Sequence, residues 1–110
     1  MKHLKTYESI EKEPQIGDFI ICKEYSLKKE ISDFISTNIG KIISDRSLIH
    51  DYTIKYQNVP KDLKPYFSYH SSIFGPNCRG IDKENILFFS PDKETIETYL
   101  QANKYNIWNI

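Results

Sequence analysis

The chain has 110 residues, of which 39% are hydrophobic and 27% are charged, and its formal net charge at pH 7 is zero. This length is enough for one domain with a modest core, so we predict a single domain over residues 1–110. A net charge of zero provides no overall field that would attract the protein to nucleic acid or to an anionic membrane. The composition is typical of an ordinary globular protein and argues against a dedicated, strongly basic nucleic-acid binder.

Residues 1–13 lack the apolar core of a signal peptide, and no stretch approaches the roughly 18 apolar residues of a membrane-spanning helix. We therefore expect a cytoplasmic protein with no membrane partner. Cys22 and Cys78 do not form a Cys-x-x-Cys pair. Two free thiols are the expected state in the cytoplasm, and a single disulfide between them is the open alternative.

Four segments have the composition of strands. The first is apolar on both faces, which predicts a central strand that is covered on both sides. The third alternates at period two, and Thr53 and Lys55 lie on the face that we expect to be exposed to water. The predicted strands are 18–24, 40–45, 51–57 and 85–90.

A change of period predicts a helix between the first and second strands. Leu27, Ile31, Phe34 and Ile35 fall on one stripe of a helical surface, as expected of an amphipathic helix packed on a sheet. The helix is predicted over 26–38, with a serine as N-cap and an asparagine at its end.

The last predicted helix begins after the fourth strand. Ser90 is a suitable N-cap, Pro91 suits the first helical position, and Asp92 complements the positive end of the helix dipole. This helix is predicted over 91–103. The tail, 104–110, alternates at period two and is predicted to form an edge strand or to pack on the sheet.

Two further segments are irregular. Residues 1–15 are predicted to form an arm or a short docked helix. Residues 58–80 form a long stretch that is rich in aromatic and turn-forming residues. Long segments of this kind are uncommon in compact domains and often have a function.

Three short motifs carry a resemblance to a known fold. They are Ile16-Gly17-Asp18-Phe19-Ile20-Ile21, Gly40-Lys41-Ile42-Ile43 and Tyr52-Thr53-Ile54-Lys55-Tyr56. The pattern resembles SH3-like small β-barrels of the KOW and Tudor type. The resemblance implies an α+β domain with a strongly bent antiparallel sheet, or a barrel, of four or five strands over 16–90. The barrel hosts many unrelated binding roles, so it implies no particular ligand.

The chemical inventory predicts no enzyme, no metal and no cofactor. His3, His50 and His70 have no metal-ligand spacing. His70 and Cys78 share one loop region and form a conceivable base and nucleophile, but nothing in the sequence supplies a third group to orient them. The sequence also contains no glycine-rich phosphate loop and no hydrolase signature.

One segment has the composition of a site for single-stranded nucleic acid. Residues 55–83 interleave basic and aromatic side chains, and phosphates pair with lysine and arginine while bases stack on rings. The alternative is that these rings close the core and that the lysines are a solvated rim. The candidate binding residues are Lys55, Lys61, Lys64, Tyr66, Phe67, Tyr69, His70, Phe74, Arg79 and Lys83.

Acidic residues predict a second surface. Glu8, Glu11, Glu13 and Asp18 cluster near the start of the chain, and residues 92–97 add three more acids. If they share one side of the molecule, they form a face that mimics phosphate toward a basic partner. A scattered, solvated set of charges is the alternative.

These observations predict a small non-enzymatic binding protein that docks on a protein or ribonucleoprotein partner. The lysine- and asparagine-rich composition is similar to that of small phage-encoded accessory proteins. The concrete form of the prediction is therefore a phage inhibitor of a host defence complex, such as an anti-CRISPR protein. The alternative is RNA or single-stranded DNA binding through 55–83. The oligomeric state is left open.

Overall fold

The computed structural model describes residues 13–24, 28–46 and 49–108, which form an α+β fold around one antiparallel sheet. The sheet has five strands in the order β4-β3-β2-β1-β5, so β5 returns to lie beside β1. The predicted fold class, α+β with four or five antiparallel strands, is confirmed. The strands are β1 (Phe19–Cys22), β2 (Gly40–Ser44), β3 (Tyr52–Tyr56), β4 (Cys78–Ile81) and β5 (Ile86–Ser90).

Helices lie between the strands and after them. An amphipathic helix joins β1 to β2, a 3-10 helix and a short α-helix precede β4, and a second 3-10 helix joins β4 to β5. The longest helix ends the described chain. The α-helices are α1 (Lys29–Thr37), α2 (Ser71–Phe74) and α3 (Lys93–Trp108), and the 3-10 helices are Lys61–Tyr66 and Lys83–Asn85.

The main hydrophobic core lies on one face of the sheet, which we call the inner face. Helix α1 packs on this face, and residues from the 58–80 segment close the core from the side. Burial of these side chains is the main favourable term in folding, at about 25 cal/mol for each Å² of apolar surface removed from water. The core consists of Ile20, Cys22, Ile31, Phe34, Ile35, Ile42, Tyr52, Ile54, Tyr56, Val59, Leu63, Phe67 and Ile81.

The pairing of the sheet is irregular at two points. The register shifts between Ile21 and Cys22 where β1 meets β5, and between Ile42 and Ser44 where β2 meets β3. Such bulges bend a strand and increase its local twist. In the same region, the absence of a side chain at Gly40 lets the β2 backbone lie close to the Tyr56 ring. A Cβ on this residue would be only 2.9 Å from that ring.

The opposite, outer face is covered by α3 along β1 and β5. Successive side chains of a strand point to opposite faces, so Ile21 points away from the core that contains Ile20. Ile21 pairs with Phe88, whose ring stacks on Tyr99 of α3 at 4.5 Å between centroids. Ile96 of α3 and Ile21 are both fully buried. The prediction that the first strand is covered on both faces is confirmed.

The predicted exposed face of the third strand needs one correction. Thr53 lies on the outer face, yet it is fully buried. It pairs with Gly80 of β4, and the His50 side chain lies so close that a Cβ on Gly80 would be 2.7 Å from His50 Cγ. The imidazole thus covers this corner of the sheet, whereas Lys55 remains half-buried.

Helix α1 agrees with the predicted inserted helix where the two overlap. Ile31, Phe34 and Ile35 are buried as the helical stripe predicts. Asn38 ends the helix and donates its side-chain amide to the Phe34 carbonyl at 2.9 Å. The helix begins at Lys29 with Lys28 at the N-cap position, so the prediction of Ser26 as N-cap is wrong; Ser26 itself lies outside the described residues.

Helix α3 begins and ends later than predicted. The N-cap is Asp92, which accepts hydrogen bonds from the Glu94 N–H at 3.3 Å and from the Thr95 hydroxyl at 2.8 Å. Ser90 caps nothing in the helix, because its hydroxyl accepts from the Asp92 N–H. The helix runs to Trp108, so the prediction of an edge strand for the tail is wrong. The apolar residues of the tail alternate over too few positions to define a strand, and the backbone continues the helix instead.

The segment 58–80 is more ordered than its sequence suggests. It contains a 3-10 helix, α2 and the start of β4, a strand that the sequence did not predict. Arginine and glycine interrupt its apolar pattern, so only pairing with β3 defines it as a strand. The Cys78 N–H donates to the Phe67 carbonyl and the Tyr69 N–H donates to the Cys78 carbonyl, which covers the start of this edge strand.

No helix in the described ranges is long and apolar enough to cross a membrane. The predicted arm or short helix at 1–15 lies almost entirely outside those ranges. Both cysteines are free and buried. Burial raises the pKa of the Cys22 thiol to about 12 from an ordinary value of 9.0, although the neighbouring Tyr56 hydroxyl lowers it.

We predict that both thiols resist alkylation in the native protein. A pKa raised by about three units lowers the thiolate fraction of Cys22 at pH 8 about a thousandfold, and Cys78 is also fully buried. Intact-mass spectrometry after iodoacetamide treatment checks this prediction. We expect no adduct under native conditions and two in urea. Rapid native modification would contradict the described core.

Candidate functional site

The structure does not gather the predicted residues of 55–83 into one surface. Phe67 is 1% exposed and packs edge to face against Phe34 and Tyr56, with centroids 5.4 and 5.6 Å away. A ring enclosed in this way is unable to stack on a base. For Phe67, the alternative that the rings close the core is the one that the structure supports.

Arg79 is engaged within the protein. Its Nε and Nη2 donate to the Glu24 carboxylate at 2.9 and 2.6 Å, and its Nη1 donates to the Tyr66 carbonyl at 2.7 Å. The guanidinium also lies 5.5 Å from the centre of the Phe67 ring. Glu24 follows β1, and β1 is separated from β4 by two strands. This bidentate pair therefore spans the inner face and links the end of β1 to β4.

The remaining rings and lysines of the segment are spread over the molecule. Tyr69 and His70 are neighbours, with centroids 4.2 Å apart, and Phe74 lies 6.4 Å from His70. Lys61 and Lys64 are exposed on the first 3-10 helix. Tyr66, Tyr69 and Arg79 line one shared cleft with Glu24 and His50, whereas Lys55 lines a second cleft and Lys83 a third.

Lys83 lies in an acidic setting. Its Nζ donates to Glu13 at 2.5 Å, and this bond raises the pKa of the ammonium group. Asp45, Asp51 and Tyr52 line the same cleft. Lys83 is thus compensated by carboxylates and contributes little to a basic surface.

The predicted acidic face is only partly exposed. Asp18 is 7% exposed and accepts the Gln15 N–H at 2.9 Å, so it stabilises a turn. Asp92 caps α3 and Glu13 pairs with Lys83. Glu8 and Glu11 lie outside the described residues. Among the described acids, several therefore have a structural role.

Cys78 is a poor candidate nucleophile. Its side chain is fully buried and its thiol donates to the Pro76 carbonyl at 3.6 Å. Burial raises the pKa of this thiol, although Lys55 lowers it. His70 contacts Tyr69 and Phe74. No group of three potential metal ligands occurs within the described ranges.

A different surface lies where the outer face is left open by α3. The pairing register places Phe19 of β1 opposite Lys41 of β2, and Lys41 opposite Lys55 of β3. These three side chains therefore form a row across the outer face. Lys93, the first residue of α3, borders the same cleft. We call Phe19, Lys41, Lys55 and Lys93 the basic row.

The basic row surrounds a shallow cleft of about 150 Å³. Lys41 Nζ lies 5.5 Å from the centre of the Phe19 ring, and Lys55 Nζ donates to the Phe74 carbonyl at 3.2 Å. No carboxylate is among the described residues that line this cleft. The full lining is Phe19, Ile39, Gly40, Lys41, Ile43, Lys55, Gln57 and Lys93.

The electrostatics of this cleft favour an anion. Like charges that face each other directly across two strands are destabilising, by a few tenths to about 1 kcal/mol. Lys41 and Lys55 occupy such opposed positions, although the Lys41 ammonium lies over the Phe19 ring and the Lys55 ammonium donates to the Phe74 carbonyl, and Lys93 adds a third positive charge at the edge of the cleft. A bound anion would neutralise these charges, and the apolar floor would contact the uncharged part of a ligand.

Sequence reasoning found only Lys55 of this site. Lys41 and Phe19 belong to the predicted strand motifs, and Lys93 belongs to the predicted start of the last helix. The sequence does show a lysine in each of two neighbouring strands, Lys41 and Lys55, and this is the feature that could have indicated the site. Their juxtaposition depends on the register, which the sequence alone did not give.

Comparisons with protein-family models, curated proteins and solved structures found no match to the chain.

We predict that Lys41→Glu stabilises the protein. The change places a carboxylate beside Lys55 and Lys93, and these two attractions should outweigh the lost contact of Lys41 with the Phe19 ring by about 0.5–1 kcal/mol, which raises the melting temperature by about 3–6 °C. Thermal unfolding at low ionic strength measures the effect. Lys61→Glu, an exposed charge reversal away from the cleft, should change stability by less than about 0.5 kcal/mol. An unchanged or lower melting temperature for Lys41→Glu would contradict the paired geometry.

We also predict that Phe67→Ala destabilises the fold by about 3–5 kcal/mol, because it leaves a cavity beside Phe34 and Tyr56. Tyr66→Ala is the matched control. That ring is 47% exposed, and its loss should cost less than about 1 kcal/mol. Urea unfolding gives both values. If the Phe67→Ala variant does not fold, the free energy of unfolding of Phe67→Leu can be compared with that of the control instead. Equal effects at the two positions would show that Phe67 is not a core residue.

Proposed function

We propose that this protein is a non-enzymatic binding protein and that an anionic surface of its partner docks on the basic row. The observation that carries the proposal is the directly opposed pair Lys41 and Lys55 beside the Phe19 ring. Lys41, Lys55 and Lys93 border one cleft, and no carboxylate is among its described lining residues to neutralise them. A partner with negative charge would supply that neutralisation.

The proposal includes a fold of the SH3-like barrel type. It is supported by the strand order β4-β3-β2-β1-β5 and by the two register shifts that bend the sheet. The bidentate contact of Arg79 with Glu24 across the inner face also supports strong curvature. In such a fold the outer side of the second and third strands is an available binding surface, and here it carries the basic row.

The partner that we propose is a protein or a ribonucleoprotein complex in the cytoplasm. A phage-encoded inhibitor of a host defence complex, such as an anti-CRISPR protein, is the concrete form of this proposal. Small size and a composition rich in lysine and asparagine support it. The alternative, nucleic-acid binding through 55–83, has less support, because Phe67 is buried and Arg79 and Lys83 are paired with carboxylates.

An affinity pull-down from lysate of the native host, with and without nuclease, tests the proposal. We predict that the wild-type protein retains a stoichiometric partner and that the triple variant Lys41→Gln, Lys55→Gln, Lys93→Gln loses it. Glutamine keeps a hydrogen-bond donor for the Phe74 carbonyl, so the fold should be retained. Mass spectrometry identifies the partner, and its survival after nuclease distinguishes direct protein docking from docking through RNA.

The matched control is Lys29→Gln, Lys61→Gln, Lys64→Gln, which removes the same charge from exposed positions elsewhere. We expect it to bind like the wild type. Loss of the partner only in this control would move the site to the predicted 55–83 surface. Retention by both triple variants would rule out docking on the basic row.

A further inference from the structure

We infer that the anionic group recognised by the basic row is the backbone of a single-stranded nucleic acid, with one base stacked on Phe19. This inference rests on the proposed function and names the ligand of the same site. It concerns a different surface from the 55–83 segment, because only Lys55 is common to the two. The observation behind it is the combination of lysines with an aromatic ring in one cleft.

The Phe19 ring is the feature that distinguishes this site from one that binds by charge alone. Phe19 is half-buried and lines the cleft, and Lys41 Nζ lies over the ring at 5.5 Å, so a base stacks on Phe19 only after the Lys41 side chain turns toward a phosphate. Sites for single strands combine a positive groove with rings on which bases stack. An acidic peptide would use the lysines but gain nothing specific from a ring. The aromatic residue beside the paired lysines therefore favours a ligand that has both phosphates and bases.

The geometry favours one strand over a duplex. The lysines come from β2, from β3 and from the start of α3, and adjacent strands are about 4.8 Å apart. The three lysine positions thus border a single cleft of about 150 Å³. A duplex would need a larger basic footprint, whereas the whole chain has no net charge. A short segment of a flexible strand is able to place a few phosphates here and to turn one base toward Phe19.

The number of lysines sets the expected salt dependence. Each phosphate neutralised on a single strand contributes about −0.7 to the slope of log K against log salt concentration. Three contacts should therefore give a slope of about −2. Replacing one lysine of the basic row by glutamine should make the slope shallower by about 0.7. Lys29→Gln, on the exposed side of α1, should leave it unchanged.

Fluorescence anisotropy tests the inference with the full chain. The probes are labelled RNA and DNA oligonucleotides of about 12 nucleotides, in the range that single-strand sites cover. The comparison ligands are the matching duplex and a labelled polyglutamate peptide of similar charge. We expect binding of the single strands, much weaker binding of the duplex and the peptide, and a slope of about −2. The triple glutamine variant of the basic row should show no binding.

The ring is tested separately. Phe19→Leu should weaken oligonucleotide binding at least about fivefold, because stacking of one base is lost. Phe19→Tyr should restore most of it. Circular dichroism and melting temperature verify that both variants are folded. Because leucine keeps most of the apolar contact, binding of polyglutamate should not change.

Three results would overturn the inference. A flat titration with every single strand at low salt would exclude nucleic acid as the ligand. Equal affinity for polyglutamate and oligonucleotide, insensitive to Phe19→Leu, would show a general anion site and would leave the proposed docking function in place. Oligonucleotide binding that is lost in the Lys61→Gln, Lys64→Gln variant instead would place the nucleic acid on the 55–83 segment. The proposed function is tested separately by the pull-down. It is refuted if the partner binds the triple glutamine variant of the basic row as well as the wild type.

Discussion

Burial of β1 on both faces is the constraint on which the rest of the structure depends. Ile20 and Ile21 are adjacent, point in opposite directions and are both fully buried. A strand of this kind needs a packed layer on each side. Helix α1 and the 58–80 segment supply the inner layer, and α3 supplies the outer one. Within the described ranges, α3 is the helix that covers the outer face, and it lies over β1 and β5.

The open half of the outer face follows from that limit. Beyond the reach of α3, Lys41 of β2 is exposed and Lys55 of β3 is half-buried, and the cleft forms where the covered and less covered halves meet. Phe19 lies at this boundary because it belongs to the covered strand but is only half-buried. Lys93 lies there because α3 begins at the same edge. The candidate site is thus a consequence of incomplete coverage of a small sheet, combined with lysines at the uncovered positions.

On the inner face, in contrast, the positive charge is neutralised within the protein. Arg79 donates to Glu24 and to a carbonyl, and its stem and guanidinium pack over Phe67. A bidentate pair in which the arginine is about one-fifth exposed is satisfied within the fold and leaves no charge to recruit a ligand. On the outer face no described carboxylate lines the cleft beside Lys41 and Lys55. This contrast is why the same residue types have a structural role on one face and a proposed binding role on the other.

The sequence by itself determined the local elements whose signals are short-range. The two-faced apolar strand, the stripe of Ile31, Phe34 and Ile35, and the stop at Asn38 all agree with the structure, because each depends on neighbours within one or two turns. Predicting an α+β fold needed little more than these elements. The tail was misread because a few alternating residues are compatible with a strand or with a continuing helix.

Only the tertiary structure decided what depends on pairing between distant segments. β4 is a strand because it pairs with β3, and neither Arg79 nor Gly80 favours that conformation locally. Thr53 is buried because His50 covers the corner beside it. The basic row exists because the register places Lys41 opposite Lys55 and Phe19 opposite Lys41. A shift of one residue would move each of these side chains to the other face, so spacing along the chain was unable to reveal the site.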